Sequence, residues 1–185
     1  MKPGFKLERA CLTLMLTLLV AGAILTGGPD RVLALGWDDV KIRLLPDEAF
    51  AVVEEKEGGI KVRHCPYRDR NGRIETEQLI YVLGTLHEET WVDPKNEAVA
   101  RRELESHYNR FIESVRKRGI DEPININEAP LSQLVALPNI GPVTAVKIVR
   151  YREEHGRFMT PEAIQKVSGI GAGTYNGIRF VIRVD

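Results

Sequence analysis

The sequence predicts a mainly α protein, α+β overall, in which a small α+β or helical subdomain precedes a four-helix module made of two copies of one unit. Three observations carry this. Leu134, Leu137, Ile140-Gly141, Thr144 and Ile148 return thirty residues later as Ile164, Val167, Ile170-Gly171, Thr174 and Ile178. Coincidences at one fixed offset mark a repeated structural unit. Two upstream stretches carry apolar residues at helical spacing. A pair of short apolar runs split by adjacent glycines gives the β-hairpin signal. The 185 residues, at about 100–150 residues per domain, hold one domain plus a small second one.

Residues 1–36 read as an export signal or a membrane anchor. Lys2, Lys6 and Arg9 form a basic start, and Ala10–Thr26 is uncharged and Leu-rich. Val32-Leu33-Ala34 offers a small-residue cleavage site, with Ala21-Gly22-Ala23 as a second. The run is close to the minimum for spanning a bilayer, so a retained anchor stands beside a cleaved signal. A buried N-terminal helix ranks behind both, because nothing on the run alternates with polar residues. Either leading alternative places the remainder across the cytoplasmic membrane, periplasmic or otherwise extracytoplasmic, with the N-terminal segment as its only membrane contact. Glu8-Arg9-Ala10 before Cys11 is not a lipid-attachment context. Cys65 would then stand alone, so no intrachain disulfide supports the fold.

Basic and acidic residues balance at 26 each. Residues 1–36 carry Lys2, Lys6, Arg9 and Arg31 against Glu8 and Asp30, a balance of +2 that leaves the rest of the chain at −2. Chain-wide electrostatics therefore give no pull towards nucleic acid, and any such binding must come from local geometry.

Between Trp37 and Ile120, Phe50–Val53 and Ile60–Val62 predict a β-hairpin whose Gly58-Gly59 pair is free to take positive φ. A polar loop, Pro66–Gly72, follows. Leu79, Ile80, Val82, Leu83 and Leu86 predict a helix over 74–86 with a broad buried face. Asp93 caps a second helix, Pro94 suits its first turn, and Ala98, Leu104, Tyr108, Phe111 and Val115 recur at helical spacing up to Gly119. This part is either a small α+β subdomain or a helical collar packed on the C-terminal module. Asp69-Arg70-Asn71-Gly72 resembles the centre of a calcium loop. However, Tyr67 and Gln78 fall where its first carboxylate and its bidentate Glu belong, so an Asn-Gly turn is the better reading. His64, Cys65, His87 and His107 show no metal-ligand spacing.

Residues 123–185 are the most legible part. Asn125-Ile126-Asn127-Glu128-Ala129-Pro130 precedes a short helix over Leu131–Leu137. Pro138-Asn139-Ile140-Gly141 follows, then a helix over 142–155 with Gly156 at its C-cap. The repeated unit is helix, tight glycine turn, helix, and two such units can share one core. Gly141 and Gly171 sit where each turn enters its second helix; glycine permits the turn and admits another backbone closely. The first N–H groups of a helix lack partners, and its dipole favours an anion there, so a phosphate fits. Thr144 or Thr174 can add a hydroxyl, and Lys147 a charge. Lys147, Arg150 and Arg157 suggest a basic stripe beside the first turn, partly offset by Glu153 and Glu154.

The run "ININEAPLSQLVALPNIGPVTAVKIVRYREEHGRF" and the run "IQKVSGIGAGTYNGIRFVIRV" resemble the ComEA family, exported tandem helix-hairpin-helix proteins that receive DNA in bacterial transformation. The resemblance covers about sixty residues and nothing upstream of them. It implies a tandem helix-hairpin-helix domain that binds double-stranded DNA by its backbone, without reading bases and with salt sensitivity, in DNA uptake. The residues it marks are Asn139, Ile140, Gly141, Thr144 and Lys147, then Gly169, Ile170, Gly171, Gly173 and Thr174. Ile140 and Ile170 are expected to anchor the turns in the core. Two departures stand out. Asn139 replaces a glycine, which Asn's tolerance of positive φ allows. The second turn lacks the expected Lys or Arg, and residues 121–185 balance seven basic against seven acidic side chains.

Tandem units of this kind also serve protein assembly, so an extracytoplasmic protein-interaction module is the alternative, with an envelope protein as partner. No Ser-His-Asp, Cys-His or paired-carboxylate constellation stands out, and no glycine-rich nucleotide loop follows a strand. The sequence therefore predicts a binding protein with no catalytic residues, no metal and no cofactor.

Overall fold

The computed structural model describes residues 36–185. The basic start, the apolar run and both cleavage positions lie outside them. Among the described residues no helix is long and apolar enough to cross a membrane.

Asp38 opens the short helix α1 (Asp39–Arg43) by accepting the Lys41 N–H on its carboxylate. Strands β1 (Phe50–Lys56) and β2 (Ile60–Pro66) then pair antiparallel, with Val52 opposite His64 and Lys56 opposite Ile60. The hairpin is the expected one but longer, and Gly58 and Gly59 take φ of 86° and 76° at its tip. After it, Asp69 Oδ1 accepts the N–H groups of Asn71 and Arg73. The carboxylate that a calcium loop would need is thus spent on its own Asn-Gly turn.

Helix α2 (Thr76–Thr85) continues as one 3-10 turn, Leu86–Glu88. Helix α3 (Lys95–Arg118) begins where Asp93 accepts the Lys95 N–H and ends at Gly119, φ 80°. Its buried set is Ala100, Leu104 and Ile112, while Tyr108, Phe111 and Val115 are half-buried. The expectation that Ala98 faces inward is wrong; it is exposed, and Ala100 is the small residue in the core. Helical spacing alone could not choose between them at the helix start.

Within the upstream part a buried carboxylate ties three segments together. Glu54 of β1 accepts the Val92 and Asp93 N–H groups at 2.8 Å each and Asn96 Nδ2 at 2.9 Å. His64 Nε2 lies 2.7 Å away, and the same ring sits tilted against Trp91, centroids 4.4 Å apart. Burial alone would raise the Glu54 carboxyl, but the Asn96, Asp93 and Val92 donors hold it at about 2. Cys65, next in β2, is buried, and burial pushes its thiol to about 12. Its φ of 55° is one of two left-handed non-glycine positions among the described residues.

The C-terminal module comprises α4 (Leu131–Leu134), α5 (Pro142–His155) and α6 (Ala172–Ile178), with a 3-10 helix over Pro161–Lys166 standing where α4 stands in the first unit. Both opening helices are shorter or tighter than expected. The thirty-residue repeat is visible in the packing. Leu134 and Ile164 are fully buried, as are Ile148 and Ile178, and Leu137 and Val167 are nearly so. Strand β3 (Ile124–Asn125) pairs in parallel with β4 (Ile182–Arg183), joining the module's two ends. The Asn-Ile-Asn opening is structural: Asn127 Nδ2 donates to the Phe158 carbonyl, and its Oδ1 accepts the Phe158 N–H.

The described residues form one compact unit. Ile80 of α2 and Ile112 of α3 belong to the module's own core. A second cluster under the β-hairpin takes Leu79, Val82, Leu83 and Leu86 from other positions on α2. Helix α2 is therefore shared between two cores.

Candidate nucleic-acid interface

The two turns are geometrically alike but do not use their glycines as the sequence suggests. The left-handed position is the residue two before the helix cap: Asn139 at φ 60° and Gly169 at φ 99°. Gly141 and Gly171 are the N-caps of α5 and α6, with φ of −98° and −88° and extended ψ. Any residue adopts that backbone. A Cβ at Gly141, Gly171 or Gly173 would meet no protein atom within 4 Å. Among the described residues nothing demands glycine at these three positions.

The caps are also bare. Neither α5 nor α6 has a side-chain cap; among the described α-helices only α1 has one, from Asp38. Serine, aspartate or asparagine there would stabilise a helix by about a few tenths of a kcal/mol over glycine. The Gly141 and Gly171 carbonyls accept from Ala145 and Tyr175, the first closed turns. The N–H groups ahead of them, of Val143 and Thr144 in α5 and of Ala172, Gly173 and Thr174 in α6, are the donors that a helix leaves open. Pro142, at the first helical position, has no N–H to offer.

The turns lie side by side, each against the other unit's second helix. The Cβ position of Gly169 is 4.0 Å from Thr144 Oγ1, and that of Gly177 is 3.9 Å from Asn139 Nδ2. Gly141 and Thr144 are half-exposed, as is Thr174, while Gly169, Gly171 and Gly173 are exposed. Ile140 and Ile170 are buried, and their N–H groups bond to Leu137 and Val167 within the turn. Their side chains anchor the turns in the core.

The basic stripe is smaller than expected. Arg150 is held by Glu88 through two hydrogen bonds, 2.6 and 2.9 Å. Arg157 donates to Glu128 and to the Asp185 carbonyl. Of the three expected cations, Lys147 alone has no ion pair among the described residues. Near the second turn Lys166 is exposed, and Arg179 covers the ring of the exposed Phe180. Arg152, buried in α5, donates to the Ile126 carbonyl and is structural.

Sequence reasoning missed the upstream residues that hold this site. Glu77 of α2 accepts the Ser132 N–H at the start of α4. Gly84 of α2 crosses α5 at its first turn: a Cβ there would lie 2.8 Å from the Pro142 carbonyl oxygen and 2.6 Å from Val146 Cγ2. Glu88 supplies the Arg150 clamp. A glycine inside an apolar helix was the one available signal.

Two short hairpins with glycine-capped second helices, related by an internal repeat and sharing one core, define a tandem helix-hairpin-helix module. The helix-hairpin-helix motif family matches residues 120–183. This segment is 48% identical over 61 residues to ComE operon protein 1 of Bacillus subtilis, covering 33% of this chain and 30% of that protein. That similarity bears out the ComEA resemblance for the C-terminal third. An uncharacterized protein of Haemophilus influenzae is 41% identical over 56 residues, which is 30% of this chain and 50% of its own length. The human endonuclease/exonuclease/phosphatase family domain-containing protein 1 is 35% identical over 82 residues, 43% of this chain but 14% of that protein. The chain thus spans half or less of each of these relatives. No solved structure matches it.

Proposed function

We propose that this protein binds double-stranded DNA by its phosphate backbone, without sequence preference, through the paired N-termini of α5 and α6. The observation that carries the reading is the pair of bare glycine caps. Glycine is required there neither by φ nor by packing, and a capping side chain would stabilise both helices. A phosphate oxygen seated on the open N–H groups explains both choices, since a side chain would compete for the donors and fill the approach. Lys147 adds a charge, and Thr144 and Thr174 add hydroxyl donors. With so few free cations, binding is weak and sequence-independent. The similarity to ComE operon protein 1 and the N-terminal segment's export character support a role outside the cytoplasmic membrane, in DNA uptake. The chain acts by binding and carries out no catalytic step; its likeness to a nuclease-family protein lies in the same motif region.

Gly141→Ser separates the functional from the structural role of the cap. Serine takes up a capping bond, so the melting temperature stays level or rises. The affinity of the full chain for a labelled duplex, read by fluorescence anisotropy at low salt, drops about tenfold or more as charge-assisted donors are lost. A variant that folds and binds like the parent would sink the phosphate reading. A parent that binds no duplex at roughly tens of micromolar would remove DNA as the ligand, leaving an envelope protein partner as the explanation for both hairpins.

A further inference from the structure

Lys147 and Arg150 are three residues apart on α5, so helical spacing places them on neighbouring positions of one face, with Thr144 one turn earlier. Two cations in line with an open helix N-terminus would extend a phosphate-binding track. Arg150 is withdrawn from it. Its Nη1 donates to Glu88 Oε1 at 2.6 Å and its Nη2 to Oε2 at 2.9 Å, the parallel two-point pairing that a guanidinium also makes with a phosphate. Glu88 belongs to the 3-10 turn after α2, outside the helix-hairpin-helix module. His87 Nε2 lies 3.8 Å from Glu88 Oε1.

The clamp is not what fastens α2 to the module. Gly84 lies directly against Pro142 and Val146, Ile80 is buried in the module's core, and Glu77 holds the start of α4. The Arg150 and Glu88 side chains are 37% and 43% exposed, so the pair is open to exchange with an external anion. Exposed ion pairs add little to stability, and a swap of carboxylate for phosphate leaves the fold standing.

We propose that Glu88 is a built-in phosphate mimic: it occupies Arg150, a latent backbone-contact residue of the first hairpin, and duplex DNA must compete with it. This inference rests on the DNA reading above and assigns the upstream segment a regulatory part in it. The clamp keeps the free protein's DNA-facing charge low and makes release of the duplex easy, because a carboxylate waits to take the phosphate's place.

The test uses the full chain with a labelled duplex, titrated by anisotropy at several salt concentrations. Glu88→Gln removes the charge and keeps the shape. It is expected to bind about three- to tenfold tighter, with the slope of log K against log salt steeper by about 0.9, the value of one added phosphate contact. Adding Arg150→Gln to that variant reverses both changes. Glu113→Gln, at an exposed position of α3, removes the same charge without touching Arg150 and gives a much smaller gain. Glu88→Ala repeats the first measurement in case the glutamine retains the clamp, and melting curves confirm that each variant folds. The inference is overturned if neither Glu88 variant tightens binding, if the gain survives Arg150→Gln, or if Glu113→Gln gains as much. If the parent and every variant bind no duplex, the DNA reading falls and this inference with it; parent binding that Glu88 does not modulate overturns the inference alone.

Discussion

Asn139 and Gly169 hold the strained backbone of the two turns, and Gly141 and Gly171 hold the open helix starts. The division can be tested inside the second hairpin. Gly169 has φ 99°, where an L side chain costs about 1–2 kcal/mol. Gly169→Ala should therefore lower stability by about that amount in urea unfolding. Gly171→Ala changes a residue whose φ is ordinary and whose Cβ position is empty. It should cost stability about half a kcal/mol, the difference between glycine and alanine at a helix cap, while weakening DNA binding. Equal stability losses in the two variants would contradict the assignment. The thirty-residue offset makes the pairing of Asn139 with Gly169 legible from sequence, because Asn is the other residue that enters the left-handed region readily. That Gly141 and Gly171 keep an ordinary φ was not legible, since residue type states what backbone is permitted and not which is used.

At the scale of elements, the repeat, the hairpin and α3 could all be read from spacing and caps. The docking of α2 could not. Its apolar residues face two cores, which gives a continuous run with no sign of how the faces divide. Gly84 sits among them as an apparently weak helix residue. Alanine inside a helix gains about 1 kcal/mol over glycine, and less at the penultimate position of α2. Against that gain, the new methyl would sit 2.8 Å from the Pro142 carbonyl oxygen, a backbone atom of the first hairpin's second helix. Val146 can turn aside but the carbonyl cannot, and overpacking of this kind costs about 1–3 kcal/mol. Gly84→Ala is thus expected to destabilise, and to weaken duplex binding as well, because α5 must shift beside its open N-terminus. Raised stability with unchanged binding would show that α2 has room to move and that the crossing does not position the site.

The whole molecule behaves as one unit if α2 truly belongs to both cores, and acid exposes this. Several carboxylates are held below their ordinary range by native partners: Glu54 at about 2 by its Asn96, Asp93 and Val92 donors against the opposing effect of burial, Glu88 by Arg150, and Glu103 by Tyr67 and His107. Glu153, pushed up by burial, works the other way. A carboxyl whose folded value is depressed binds its proton more readily in the unfolded chain. Its contribution is complete above the ordinary carboxylate range, near 4.5, and is lost as pH falls through the folded value. Stability should therefore be flat from neutral pH to about 5 and decline from there towards about 2, where Glu54 takes its proton. Most of these groups lie in the upstream part, as do both tryptophans, Trp37 and Trp91. The helices of the hairpin module contain neither tryptophan. Tryptophan fluorescence reports the upstream core, while the loss of duplex binding reports the hairpins. With Ile80 and Ile112 inside the module's core, protonating Glu54 removes support that the hairpins share, and the two signals should fall together at one pH. A module that keeps its DNA affinity after the tryptophan signal has collapsed would mean that α2 decorates a self-sufficient domain, and that the bare caps at Gly141 and Gly171 need no help from the upstream chain to stay in place.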